Sequence, residues 1–174
     1  MSRMKQITIA LGLAAAITGV AATLMADESV QRVDVRDDCD PATFNAAVGD
    51  GTCVGDGDTT FADFLAEVTA HQSAEKWRFN PDRISEPRNL VAHNRGGETH
   101  TFTPVKEFGG GVVPLLNDLS GNPKVAPECA DPAQFGASVV PPGQNSKEFK
   151  ASAGSPTRFQ CCIHPWMRTD IVVR

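Results

Sequence analysis

The chain has 174 residues, with 16 lysines and arginines against 21 aspartates and glutamates, a formal net charge of −5. An acidic balance of this kind excludes nucleic acid as a partner class, because phosphate recognition rewards clustered basic residues. It permits a basic redox partner without naming one.

Residues 1–26 read as a secretory signal peptide. Arg3 and Lys5 precede an apolar, alanine-rich run over residues 7–22, and small residues follow at Ala21, Ala22 and Ala26, so the cut falls after Ala22 or after Ala26. A membrane anchor is the alternative, but the run is barely long enough to span and is rich in alanine rather than leucine. Removing Arg3 and Lys5 takes the net charge to −7. No second apolar run follows, so no membrane span is expected after cleavage. The remainder suits one domain with a real core. Export, to the periplasm or the extracellular space, makes disulfides the expectation for cysteines. There are five, Cys39, Cys53, Cys129, Cys161 and Cys162. An odd number leaves at least one thiol over.

The first expected element is a strand in "ESVQRVDVRD", where Val30, Val33 and Val35 partly alternate. "CDPATFNAAVGDGTC" reads as a compact loop closed by a Cys39–Cys53 disulfide, which would stabilise the fold by about 3 kcal/mol in the chain-entropy model. In "TTFADFLAEVTAHQSAEK" the residues Phe61, Phe64, Leu65 and Val68 fall on one helical face, and Thr60 with Asp63 makes a capping box. That stripe is expected to be core, and His71 at the helix end faces water or the last carbonyls. "KWRFNP" alternates, with Trp77 and Phe79 on one face. "RNLVAHN" and "THTFTPV" are short β-rich runs. Residues 108–135 carry glycine and proline throughout and read as a long loop insert with at most a short helical turn. "ASVVPPGQNSKEFK" reads as strand, turn and strand, and "TRFQCC" and "TDIVVR" as the last two strands. The expected organisation is an extension over 27–76 and a β domain over 77–174, packed as one unit, with short antiparallel strands forming a sandwich or barrel.

The chemistry concentrates in "FQCCIHPWMR", residues 159–168. In a strand, residues two apart share a face. Cys161 therefore points inward with Phe159, while Gln160 and Cys162 point the other way. Cys161, His164 and Met167 place a thiolate, an imidazole and a thioether three residues apart. Two histidines and a cysteine in a plane with a weak axial methionine describe an electron-transfer copper site. The second histidine has to come from elsewhere. His100 enters a strand just after a Gly-Gly break, where a ligand can reach a neighbouring loop, whereas His93 in mid-run reads as an edge or surface residue.

Asn94 and His100 in a strand–loop–strand context, followed by Cys161, His164, Pro165 and Met167 before a final strand, resemble the cupredoxins, the small blue copper proteins. The "HPWMR" stretch is most similar to the ligand loop of the amicyanin and plastocyanin group. The resemblance covers residues 77–174. It implies His100, Cys161 and His164 as equatorial ligands and Met167 as axial ligand of one type 1 copper ion. It implies an all-β, cupredoxin-like Greek-key β-sandwich, here with one added N-terminal helix and a long loop insert. It implies a monomeric electron carrier rather than an enzyme, cycling Cu(I) and Cu(II) and serving a cytochrome or oxidoreductase. The exposed edge of His164, collared by Pro165 and Trp166, would be the electron port. Asn94 and Thr101 would support the ligands from behind. Many relatives carry Asn where this chain has Thr101, which puts the side-chain tie between the ligand loops in question. Phytocyanins resemble this chain in having a disulfide beside a copper ligand, which suggests a Cys129–Cys162 bond pinning the insert to the ligand loop. The alternative is a free, outward-facing Cys162.

Other readings are a zinc site built from Cys129, Cys161, Cys162 and His164, for which adjacent cysteines are awkward; a copper-delivery protein or small copper enzyme; Glu98 in place of the methionine; and a metal-free β-sandwich binding module.

Overall fold

The computed structural model describes residues 30–85, 89–150 and 157–172. The expected signal peptide over 1–26 lies outside them. Among the described residues no helix is long and apolar enough to cross a membrane.

Two four-stranded sheets share one core. The first is built from β1 (Val30–Arg36), β2 (Arg78–Asn80), β4 (Asn89–Asn94) and β8 (Phe149–Lys150), in the order β2-β1-β4-β8. Val33 and Val35 of β1 are fully buried, which is the inward half of the alternation. Val35 lies opposite Phe79 in the antiparallel β1–β2 pair, and Val33 opposite Ala92 in the parallel β1–β4 pair. The second sheet takes β3 (Arg83–Ser85), β10 (Arg168–Val172), β9 (Arg158–Gln160) and β6 (Thr103–Val105), in that order, with β10 parallel to β3 and the other pairs antiparallel. A small ladder joins β5 (His100–Thr101) to β7 (Val139–Val140).

The step from β5 to β6 turns on Phe102. Its ring stacks on Phe159 at 4.4 Å and meets Phe79 at 5.3 Å and Phe149 at 5.7 Å. Phe79 and Phe149 come from the first sheet and Phe159 from the second, so this cluster holds the two together. The segment over 30–76 is not an appendage, because β1 runs between β2 and β4 and Phe44 stacks on Trp77 at 5.8 Å. "ASVVPPGQNSKEFK" does form two strands, but they are not a hairpin. β7 pairs with β5 and β8 with β4.

The all-β expectation, a cupredoxin-like Greek-key β-sandwich with one added helix, is overturned. The fold is mixed α/β, with parallel and antiparallel pairs in both four-stranded sheets and five helices among the described residues: α1 (Pro41–Val48), α2 (Phe61–His71), α3 (Pro114–Leu119), α4 (Pro127–Ala130) and α5 (Pro132–Ser138). The physical reason is the double meaning of proline. Pro41, Pro114, Pro127 and Pro132 each stand at the first turn of a helix, where the missing N–H is not needed and the fixed φ suits the helix. Asp40 and Asp131 cap two of these helices with their carboxylates. Half of the supposed loop over 108–135 is thus helical. Only α2 was expected, and it is capped as its sequence implies, Thr60 Oγ1 accepting from the Asp63 N–H at 3.1 Å.

Two disulfides, Cys39–Cys53 and Cys129–Cys162, are formed and Cys161 is a buried free thiol. This fits an oxidising, exported environment. Cys129 and Cys162 pack in a separate apolar cluster with Val105 and Ala126. Cys161 belongs with Phe159 in the main core. The adjacent cysteines do face opposite ways, although both are buried. The Cys129–Cys162 bond spans 33 residues, so Cys129→Ala/Cys162→Ala is expected to lose about 4 kcal/mol of stability in urea unfolding. A loss under about 1 kcal/mol would show that the insert is held by its other contacts alone.

Candidate metal centre

Two loops bring the donors together. The first follows β4. Asn94 is fully buried, donates through Nδ2 to the carbonyls of Glu98 (2.7 Å) and Val140 (2.8 Å), and accepts from the Gly96 N–H at 2.9 Å. This folds residues 95–99 into a tight return and delivers His100 into the core. The Gly-Gly break is sterically required. A Cβ on Gly96 would strike the Asp37 carboxylate, and one on Gly97 the backbone of Gly55 and Sγ of Cys39.

The second loop follows β9. The Cys161 N–H donates to the Met167 carbonyl and the Met167 N–H to the His164 carbonyl, each at 3.0 Å. These bonds close residues 161–167 into a short, rigid turn. Met167 is 1% exposed and shares the core cluster of Cys161.

Cys161 Sγ lies 3.7 Å from His100 Nδ1 and 4.0 Å from His164 Nδ1, and the two imidazole rings are 5.0 Å apart. All three side chains are at most 2% exposed. A metal–nitrogen bond of about 2.0 Å and a metal–sulfur bond of about 2.3 Å, opened by about 120°, end about 3.7 Å apart. The observed spacing matches that expected of ligands around one ion. His100, Cys161 and His164 could hold such an ion, their donor atoms lying within 4.8 Å of one another.

The far nitrogen of each ring faces a carboxylate. His100 Nε2 is 2.8 Å from Asp37 Oδ2, and His164 Nε2 is 3.7 Å from Glu98 Oε2. At His100 a proton held at Nε2 by the Asp37 carboxylate leaves the Nδ1 lone pair free for a metal, a frequent arrangement behind ligating histidines, whereas Glu98 lies beyond hydrogen-bond reach of His164. Glu98 thus stands behind the His164 ring, and with Asp37 and His100 it forms a second group of donor atoms within 4.8 Å of one another. Glu98 also accepts from Trp77 Nε1–H.

Asp37 is the residue that sequence reasoning missed. It receives His100 on Oδ2 together with the Glu98 N–H (3.1 Å), and on Oδ1 the N–H groups of Gly97 (2.9 Å) and Cys39 (3.3 Å). The signal was there: Asp37 continues the inward parity of Val33 and Val35 just beyond β1.

Asp37, His100 and Cys161 form a hydrogen-bonded chain in the core. Burial alone would lower the His100 pKa, but hydrogen bonds to Asp37 and Cys161 outweigh it and raise the pKa to about 10. Burial opposes ionisation of Cys161 as well, yet the two histidines hold the thiol well below its ordinary value. Asp37 is lowered in the same way, burial being outweighed by His100 and the two loop N–H groups. The Cys161 thiolate further accepts from the N–H groups of Thr101 and Ile163, both at 3.4 Å.

Thr101 resolves the question of the missing asparagine. Its Oγ1 accepts from the Cys162 N–H at 2.7 Å, so a threonine hydroxyl ties the two ligand loops. Thr103 donates to the same oxygen at 2.9 Å. The zinc alternative fails on sulfur, since Cys129 and Cys162 are joined to each other. The disulfide also anchors the insert, helped by a Gly109 N–H bond to Gln160 Oε1 (3.0 Å) and a Val112 N–H bond to the Cys162 carbonyl (2.7 Å). His71 is exposed, and His93 is half-buried with Nδ1 2.7 Å from Asn145 Oδ1. Neither approaches the site's donors.

One expectation about access is corrected. His164 does not present an exposed edge between Pro165 and Trp166, because it is 2% exposed and Pro165 is buried. Its ring is covered by Phe64 at 6.0 Å and Trp166 at 5.6 Å, both edge to face. The covering residue Phe64 belongs to α2, which the sequence reading treated as core alone. In comparisons with known proteins, no family model matches the chain and no curated protein matches it.

Proposed function

We propose that this chain is an exported type 1 copper protein that carries single electrons, acting in the periplasm or outside the cell. The observation that carries the reading is the spacing of one thiolate sulfur and two imidazole Nδ1 atoms at 3.7 and 4.0 Å, buried and with both rings backed by carboxylates. Copper would supply one-electron cycling between Cu(I) and Cu(II). The ligand residues would be His100, Cys161 and His164, with the buried Met167 thioether as a further, weak donor.

Copper is favoured over zinc by the donor set. Structural zinc takes four cysteines or histidines, and the described residues bring only three such donors together here, beside a buried thioether. The chain's own part is to hold that set still. Sheet strands, a seven-residue turn and a disulfide fix the donors, so that little has to move when the charge changes. Two N–H groups on the sulfur spread its negative charge, which tunes the potential. A site enclosed to this degree offers no open coordination position for a substrate, which argues for a carrier rather than an enzyme. The reading rests on the site, not on the fold.

The test is direct. Cu(II) added to the mature chain is expected to give an intense blue thiolate-to-copper band with small EPR hyperfine splitting, at one equivalent. A colourless protein with an ordinary square-planar copper EPR signal would defeat the proposal.

A further inference from the structure

The surface over His164 has an unusual composition. A cleft of about 440 Å³ opens between α1, α2 and α3, walled by Phe61, Phe64, Leu65, Leu115 and Ile163, with His164 at its floor. Its lips are apolar and exposed: Val48 is 58% and Leu115 53% exposed.

The charge around it has one sign. The only aspartates, glutamates, lysines or arginines on α1, α2 and α3 are acidic, Asp63, Glu67 and Asp118, and the segment from residue 49 to residue 60 between α1 and α2 adds Asp50, Asp56 and Asp58 with no lysine or arginine. Asp50, in the turn beside Val48, is exposed, as is Asp63 on α2. On the α3 side Asp118 is exposed. The other hollow near the ligand turn differs. It runs past Trp166 and carries Arg78 and Arg168 together with Glu75 and Asp82, so its charges balance. A cationic partner is therefore drawn to the α1–α2–α3 face in preference to the charge-balanced Trp166 side. That face also reaches the centre directly, since His164 itself lines the cleft beside Phe64.

We propose that the α1–α2–α3 face is the docking surface for a redox protein whose own apolar patch is ringed by lysines and arginines. This rests on the copper reading and names its partner class. One electron passes between the partner's centre and the metal, one being oxidised as the other is reduced, and no bond is made or broken.

The probe is cytochrome c, a lysine-ringed haem protein. With copper-loaded chain, the second-order rate of its oxidation is expected to fall steeply with salt. Val48→Lys or Leu115→Lys should lower that rate about tenfold while leaving the visible band unchanged. Val125→Lys, on the distant insert surface, should stay within about twofold of wild type. Rim variants that react like wild type, or a rate that rises with salt, would overturn the proposal. A second measurement does not need the metal. Oxidised cytochrome c added to the metal-free chain should shift amide NMR signals of α1, α2 and α3. Shifts confined to the Arg78 and Arg168 side, or none at all, would overturn the docking face. Failure to form the blue band would strike the copper reading instead.

Discussion

Cys161→Ser is expected to abolish the visible band of the copper-loaded protein completely while the chain still folds. The serine hydroxyl occupies less volume than the thiol at a fully buried position, and it can still accept from the Thr101 and Ile163 N–H groups that now donate to Sγ. It cannot supply a thiolate, and the intense band belongs to sulfur-to-copper charge transfer. The neighbouring change separates the two cysteines. Cys162→Ser opens the disulfide to Cys129 and loosens the insert, yet it leaves Cys161, His100 and His164 in place, so colour should persist. The experiment compares absorption at equal copper loading, with circular dichroism as the folding control. Retained colour in Cys161→Ser together with loss in Cys162→Ser would mean that the roles of the two sulfurs are reversed.

Asp37→Ala is expected to cost more stability than a typical buried polar change, about 3–5 kcal/mol. It removes one partner of the fully buried His100 and at the same time strands the loop N–H groups of Gly97 and Glu98. Asp37→Asn keeps an acceptor for those groups and should lose distinctly less. The metal readout separates support from mere packing. Without the carboxylate the His100 ring is free to rotate, so metal affinity should drop about 10- to 100-fold. The pH dependence carries a sign. A carboxylate held below its ordinary range contributes stability at neutral pH that is lost as the pH falls through its folded value. Acid unfolding of the wild type should therefore include a component that Asp37→Ala lacks. An Asp37→Ala protein with wild-type stability and affinity would show that the contact is incidental.

The site was more legible in the sequence than the fold. Local spacing fixed the separation of Cys161, His164 and Met167, and strand parity assigned the two sulfurs to opposite sides. The position of His100 followed from the Gly-Gly break before β5. What local pattern could not show was what lies behind each ring. Asp37 is more than sixty residues from His100 in the chain, and Glu98 looked like a ligand because it is close in sequence. The fold class was misread for a specific reason. Proline and glycine between short apolar runs punctuate strands, but Asp40-Pro41 and Asp131-Pro132 are also helix starts, and the helices they open are too short to show periodicity. The parallel pairing of β1 with β4 is long-range information that no window contains. The burial of His164 has the same origin. Its cover is Phe64, one hundred residues earlier, on a helix whose apolar stripe looked complete as core.

The most direct test is X-ray absorption at the copper edge of the loaded, mature chain. One sulfur scatterer at about 2.3 Å and two nitrogen scatterers at about 2.0 Å, with the sulfur shell missing in Cys161→Ser, is the predicted result. A shell of oxygen and nitrogen alone, or two short sulfurs, would contradict the assignment of His100, Cys161 and His164 to a single ion.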